Sequence, residues 1–435
     1  MSGNEVALFA IAGLLFLIAI RIPIAISFFV VSFIGLFVLR GSRTAIYFVN
    51  SVPFEFISHW SLSAIPMFLL MGAIASRSGI SESLFRAARL WLGFLPGGLA
   101  VATNWASAAF AAASGSSVAT VAAMGRLAIP EMLRYGYKDS LATGVVACAG
   151  TLGALIPPSI LFILYGVFAE ESITRLLIAG VIPGLLTAFV YTALIITRCM
   201  INPELAPSQT ARPSINERMG SLLPVTPVIV IILGIILALY GGIVTATEAG
   251  AFGAALTAIT AYFSRRLSVR VMIDSVTDAV GTTANIFMIA MGAAMFASFL
   301  AVSGFPSWLG DQLIAFDPSS LQLILIISVT YVILGMFLDP IGILLLTLPI
   351  LIPLLEAQEI DMIWFGVLTV KFIEIGLLTP PVGLNVYTVK AVVGGKVPLG
   401  RIFAGVGWFL VAEVFIMALL IGFPALSTWL PAQMN

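Results

Sequence analysis

The sequence predicts an all-α polytopic membrane protein: an inverted repeat with about ten transmembrane helices of ~20 residues, two re-entrant helical hairpins and two discontinuous helices. Three observations predict it. Of 435 residues, 60% are hydrophobic and only 9% are charged, with a mean hydropathy of +1.14, whereas soluble domains carry about 25% charged residues. Apolar runs recur from one end to the other. Sliding the chain by 223 positions (373 − 150) sets Gly150–Ile160, GTLGALIPPSI, on Ile373–Gly383, IEIGLLTPPVG. Alternating segments of ~10 residues, the mark of a β-barrel, are not seen.

The elements follow in order. MSGNEVALFA has no basic stretch and no small-residue cleavage site, so the run Leu8–Ile20 reads as a retained helix. Pro23–Leu39 and Ala64–Ala75 are further apolar runs, and the more polar Thr44–Trp60 between them reads as an interfacial helix. The polar turn Ala113–Thr120, ASGSSVAT, marks a hairpin tip near 114–117. From Val118 to Pro130 is 13 residues, about 20 Å at 1.5 Å per residue, which passes mid-membrane without comfortably crossing it. A broken helix is expected near 151–158, and Leu176–Ile196 closes the first repeat, residues 1–197.

The longest polar connection runs from Arg198 to Gly220, so residues 198–221 read as a cytoplasmic linker. In the second repeat, 222–435, the runs are Leu222–Leu239, Ala251–Phe263, Ile286–Val302, Leu321–Leu338 and Ile402–Phe423. Ser268–Thr283 reads as a second interfacial helix, with a hairpin tip near 339–342 (FLDPIG) and a broken helix near 376–383. The longer arms beside Asp339 also suit two full spans, and only the repeat favours the hairpin.

Basic loops favour the cytoplasm. Four clusters fit that face: Arg126, Arg134 and Lys138; Arg198, Arg212 and Arg218; Arg265, Arg266 and Arg270; Lys390, Lys396 and Arg401. Glu170 and Glu171, Asp311 and Asp317, and Glu356, Glu359 and Asp361 mark outer loops, which leaves both termini outside. Arg40 and Arg43 then break the rule on the outer face. The first unit runs from basic loops towards Glu170 and the second from acidic loops towards Lys390, so the copies lie upside down to each other.

The offset also brings Pro130 onto Pro353, each 28 residues before the second proline of its pair (158 − 130; 381 − 353), and sets Ser116 opposite Asp339. Proline lacks an amide hydrogen and disfavours a helical residue before it, so each pair stops a helix. In lipid the released carbonyls need protein or a water-filled cavity as partner. Inverted repeats with broken helices at the midplane are a signature of secondary transporters.

The chemistry follows from the residues at these points. Ser114, Gly115, Ser116 and Ser117 form a tight, hydroxyl-rich turn; opposite stand Thr151 and carbonyls near Gly150 and Gly153, an oxygen set suited to sodium. Asp339 and Thr379, with carbonyls near Gly376 and Gly383, form the counterpart. Small-residue helix packing is the alternative for the serines, and helix capping for Asp339. Half-helices starting at mid-depth aim positive dipole ends there, which suits an anionic substrate. Lys371 and Glu374 lie three apart on one helical face, either as a mutual ion pair or with Lys371 at a substrate carboxylate. Ser159, Asn385 and Thr388 are further substrate candidates.

Other classes find little support. Cys148 and Cys199 are isolated and read as packing. His59 lacks any catalytic context, there is no phosphate-binding loop to engage ATP, and no basic stripe suggests nucleic acid. Glu248, in VTATEAGAFG, reads either as a proton or ion site or as a helix cap. No enzyme activity and no cofactor beyond coupling sodium ions is expected.

Together, SGSSVATVAAMG with IPEMLRYGY, GTLGALIPPSILFILYG and EIGLLTPPVGLNVY resemble the large, DctM-like membrane subunit of tripartite ATP-independent periplasmic (TRAP) transporters. The resemblance covers nearly the whole chain. It implies sodium-coupled import of an organic acid, such as a dicarboxylate, across the bacterial inner membrane by an elevator-like motion; a stand-alone sodium/dicarboxylate-type carrier is the alternative, and a passive anion channel a further one. It also implies two partners: a separate small four-helix membrane subunit and a periplasmic substrate-binding protein. The family's sodium regions would fall at Ser114–Ser117 with Gly150–Gly153, and at Asp339 with Gly376–Thr379. Lys371 and Glu374 depart from the family pattern, where uncharged residues are common.

Overall fold

The computed structural model describes residues 2–207, 213–316 and 318–434; Arg212 and Asp317, two of the loop charges above, lie outside them. The described residues are helical, with no strand. Before the linker come α1 (Gly3–Ala19), α2 (Ile24–Arg40), α3 (Ser42–Ile57), α4 (Ala64–Arg77), α5 (Ile80–Leu92), α6 (Gly98–Ser114) and α7 (Ser117–Arg134). They are followed by α8 (Asp139–Ala149), α9 (Leu152–Leu155), α10 (Ile160–Phe168), α11 (Ile173–Ala179) and α12 (Val181–Ile201). After it come α13 (Ile215–Leu222), α14 (Thr226–Tyr240), α15 (Ala246–Phe263), α16 (Val269–Ser303), α17 (Phe305–Phe316) and α18 (Ser320–Gly335). The chain ends in α19 (Pro340–Ala357), α20 (Met362–Gly376), α21 (Leu384–Val393), α22 (Leu399–Gly422) and α23 (Ala425–Ala432).

Local chemistry sets many of these boundaries. Ser2 with Glu5, Thr245 with Glu248 and Ser319 with Gln322 form reciprocal capping boxes at α1, α15 and α18. Of the two readings of Glu248, the geometry gives the cap: its carboxylate accepts from the Thr245 amide at 2.8 Å. Among the described residues, 6 helices are long and apolar enough to cross a membrane, and the pair Asp139–Leu155 and Ile160–Phe168 forms one further candidate bent by 42°. Three shorter apolar helices, Gly3–Ala19, Ile24–Arg40 and Ser320–Gly335, accompany them.

One expectation is corrected. Ser268–Thr283 is not a separate interfacial helix but the first half of α16, an unbroken run of 35 residues, about 50 Å at 1.5 Å per residue. No proline interrupts it, and the Thr283 hydroxyl donates back to the Ala279 carbonyl at 2.7 Å without stopping the helix. Its polar character serves a contact instead: Arg77 at the end of α4 pairs with Asp278, and at 3.6 Å with Asp274. Thr44–Trp60 does yield a helix of its own, α3.

The two halves pack reciprocally. The α4 helix lies on α15, and its counterpart α16 lies on α2. Likewise α7 packs on α21 while α19 packs on α10, and α8 packs on α22 while α20 packs on α11. In these three pairs an element meets the counterpart of its own partner. The hairpins α6–α7 and α18–α19 and the interrupted helices α8–α10 and α20–α21 are thereby gathered into one interleaved body.

Candidate functional site

At the first break, Ile156–Ser159 leave the helix, the Pro157–Pro158 bond is cis, and Ser159 restarts it by accepting from the Phe162 amide at 3.3 Å. The hairpin turn sits against this gap. Gly115 has φ +63°, and a Cβ there would stand 2.7 Å from the Pro158 carbonyl oxygen, so glycine is required both by conformation and by contact. The Ile160 amide, freed by the break, donates to the Gly115 carbonyl at 3.4 Å. A Cβ on Gly153 would lie 2.5 Å from the Ser116 carbonyl oxygen, and one on Gly150 would lie 3.3 Å from that of Ser117. Ser114, Gly115, Ser116, Ser117, Gly150 and Gly153 are therefore brought together.

The hydroxyls of this region are engaged locally. Ser114 and Thr120 share a hydrogen bond of 2.8 Å, Thr120 donates to the Ser116 carbonyl at 2.8 Å, and Thr151 donates to the Cys148 carbonyl at 2.7 Å. Ser116 caps α7 through the Ala119 amide at 3.4 Å. The donor set is thus uncharged oxygen from hydroxyls and carbonyls, the chemistry that a hard monovalent cation takes.

At the second break, Leu377–Gly383 are non-helical, and the Pro380–Pro381 bond is again cis. The hairpin meets the broken helix at glycines: a Cβ on Gly376 would lie 2.6 Å from the Gly335 Cα. Asp339 caps α19, accepting from the amides of Ile341 at 3.1 Å and Gly342 at 2.9 Å. Thr379 donates to the Ile375 carbonyl at 2.7 Å, and the Asn385 amide reaches the Leu377 carbonyl at 3.2 Å across the gap. Gly383 has φ +63°, with its Cβ position 3.3 Å from the carbonyl oxygens of Leu377 and Thr379. The two breaks differ in access: Pro157–Ser159 are buried, whereas Pro380, Pro381 and Val382 are exposed. Thr388 is half-buried and donates to the Leu384 carbonyl at 2.9 Å.

Sequence reasoning missed the partner of Lys371. Its fully buried ammonium pairs with Glu413 on α22 rather than with Glu374, and it also donates to the Thr187 hydroxyl at 3.4 Å. Tyr191 on α12 donates to the other oxygen of Glu413, so α12, α20 and α22 meet at one ionic centre. The i,i+3 spacing drew attention to Glu374, but the Lys371 side chain leaves its own helix for a neighbour. A signal was available: Glu413 is the one acid inside the apolar run Ile402–Phe423, and an ionisable residue within a span calls for a named partner.

An all-helical, multi-pass fold with two interrupted helices, the first seated under a hairpin turn and the second meeting the end of α18 beside its break, belongs to the class of integral membrane transporters. Residues 11–426 match the family described as tripartite ATP-independent periplasmic transporter, DctM component. The C4-dicarboxylate TRAP transporter large permease protein DctM of Pseudomonas aeruginosa is 36% identical, over 90% of this chain and 93% of that protein. The isethionate TRAP transporter permease protein DctMQ of Oleidesulfovibrio alaskensis is 34% identical, over 88% of this chain and 60% of that longer protein. Among solved structures, the Alcanivorax borkumensis YdaH transporter superposes with a TM-score of 0.65 over 89% of this chain and 90% of its own. At 16% identity that likeness is one of fold alone. The chain belongs to the DctM family: it is the large permease of a TRAP transporter, a multi-pass protein of the inner membrane that moves substrate and is not an enzyme.

Proposed function

We propose that the permease imports an organic acid together with sodium ions, alternating access by an elevator-like shift of the interleaved body, α6–α10 and α18–α21, against α1–α4 and α14–α16. The observation that carries this reading is the seating of the polar hairpin turn on the first helix break, Gly115 against Pro158, with the end of α18 meeting the end of α20 beside the second break, Gly335 against Gly376. Main-chain groups freed at mid-depth need partners, and ions that fill those places in one state but not the other bias the equilibrium between states. Ser114–Ser117 with Gly150, Thr151 and Gly153 would hold one sodium ion, and Asp339 with Gly376, Thr379 and Gly383 a second. The sodium gradient supplies the driving free energy. The acid binds at the open second break, Pro380–Val382, where the start of α21 offers free amides and positive dipole, with Thr388 one turn on.

Lys371 serves this scheme indirectly, by holding Glu413, and Ser159 by restarting α10. Relatives named for C4-dicarboxylates and for isethionate leave the acid group open between carboxylate and sulfonate. A small membrane subunit and a periplasmic binding protein complete the transporter in this reading, and the longer DctMQ relative supports the former. Reconstitution with those partners in liposomes tests the proposal: uptake should follow an imposed inward sodium gradient, and uptake indifferent to sodium would count against it.

A further inference from the structure

Beside the second break stands a buried carboxylate that this scheme does not use. Glu374 is 0% exposed, and neither of its oxygens meets full hydrogen-bond geometry, although the Ser117 hydroxyl and the Asn385 side chain stand close enough to interact with it. Ser117 of the first hairpin, Asn385 at the start of α21, Lys371 and Glu413 surround it. Asn385 is equally buried, with neither its side-chain carbonyl nor its amide nitrogen bonded. The Thr369 hydroxyl nearby in sequence is also buried and unbonded.

The charges do not balance. Among the described residues that surround Glu374, the cation is Lys371, and it is already paired with Glu413. With Glu374 ionised, two carboxylates and one ammonium would leave a net charge of −1 away from water, and either a proton or a bound cation must offset it. Lone-pair oxygens that face one another without a hydrogen between them repel, and a small hard cation placed among them reverses the sign.

We propose that Glu374, with the Asn385 side-chain carbonyl and the Ser117 hydroxyl, forms a binding site for one monovalent cation of sodium's size, joining the first hairpin to the second broken helix. It is a third site, distinguished from the two hydroxyl-and-carbonyl regions by a carboxylate that no capping or ion pair engages. It rests on the preceding reading only for the choice of sodium as probe, and it reassigns Asn385 from the acid, and the Ser117 hydroxyl from the first sodium region, to this ion.

Equilibrium binding of radioactive sodium to the full chain in lipid nanodiscs tests it. Glu374→Gln keeps the shape and removes the charge, and is expected to bind one ion fewer than wild type. Asn385→Ala removes a neutral ligand and should raise half-saturating sodium about tenfold, or 1.4 kcal/mol. An unchanged ion count in E374Q overturns the proposal, as does a count unchanged in sodium but accompanied by altered proton release. If E374Q fails to fold, N385A decides alone, and an unchanged half-saturation overturns it. Sodium-indifferent uptake with an ion still lost in E374Q would sink the coupling and leave this site standing; sodium-driven uptake with an unaltered count would do the reverse.

Discussion

Lys371 sits where a single charge is most costly, and its ammonium is stabilised by Glu413, Thr187 and, through Glu413, Tyr191. Removing one member of a buried pair leaves the other uncompensated and costs about 3–5 kcal/mol, whereas replacing both with apolar residues of similar volume is often neutral. Glu413→Gln is therefore expected to lower thermal stability in nanodiscs by that amount, and Lys371→Met combined with Glu413→Leu to recover most of it. A double-mutant cycle read by unfolding checks this: additive losses would mean that the two side chains do not depend on each other. Tyr191→Phe removes one hydrogen bond to a charged group and should cost about 1.5–3 kcal/mol. None of this was legible from spacing, because a pair on α20 and α22 is made by tertiary packing and helical periodicity reports only neighbours on one helix.

At the scale of elements, the breaks and turns were legible because proline and glycine act locally. Pro157–Pro158 and Pro380–Pro381 stop helices wherever the rest of the chain goes, and Gly115 and Gly383 do take positive φ. The unbroken α16 was not legible, since Asp274 and Asp278 read as polar surface until Arg77 of α4 is placed beside them. Where hairpin meets broken helix, a Cβ at Gly376 would lie 2.6 Å from backbone, which cannot move aside as a side-chain tip can. Gly376→Ala is expected to cost about 1–3 kcal/mol as overpacking and to cut uptake sharply, while Gly407→Ala, with nothing within 4 Å, should leave both unchanged. The linker gives a pH test: the Lys138 ammonium donates to Glu204 at 2.9 Å and, by that bond and its charge, holds the carboxyl below its usual range. A depressed folded pKa stabilises above the unfolded value and is lost as pH falls through the folded one. Protease cleavage around Pro203–Leu205 should therefore quicken on acidification through that range, and a Lys138→Met variant should show no such pH step.

For the whole molecule, elements that the 223-residue offset equates make reciprocal contacts, α4 on α15 and α16 on α2, but the unequal exposure of the two breaks has no counterpart in the sequence. Two stretches of one pattern can be equivalent in their residues and unlike in their surroundings, as the buried Pro157–Ser159 and exposed Pro380–Val382 are. Under the alternating access proposed above, such asymmetry is the pattern expected of a state open to one side. A cavity of about 680 Å³ lies between α16 and the first broken helix, lined by Ser298 on the one side and by Gly166 and Val167 on the other, with Glu170, Glu171 and His59 at its margin. If the interleaved body travels against α16, the walls of this cavity slide past each other during every cycle. Ser298→Cys with Val167→Cys, bridged by a bifunctional thiol reagent, should abolish uptake, and cleaving the bridge with reductant should restore it. Each single variant should be insensitive to the reagent, since Cys148 and Cys199 are buried. Full uptake through the bridged double variant would mean that these walls keep a fixed distance and that transport proceeds without the elevator motion.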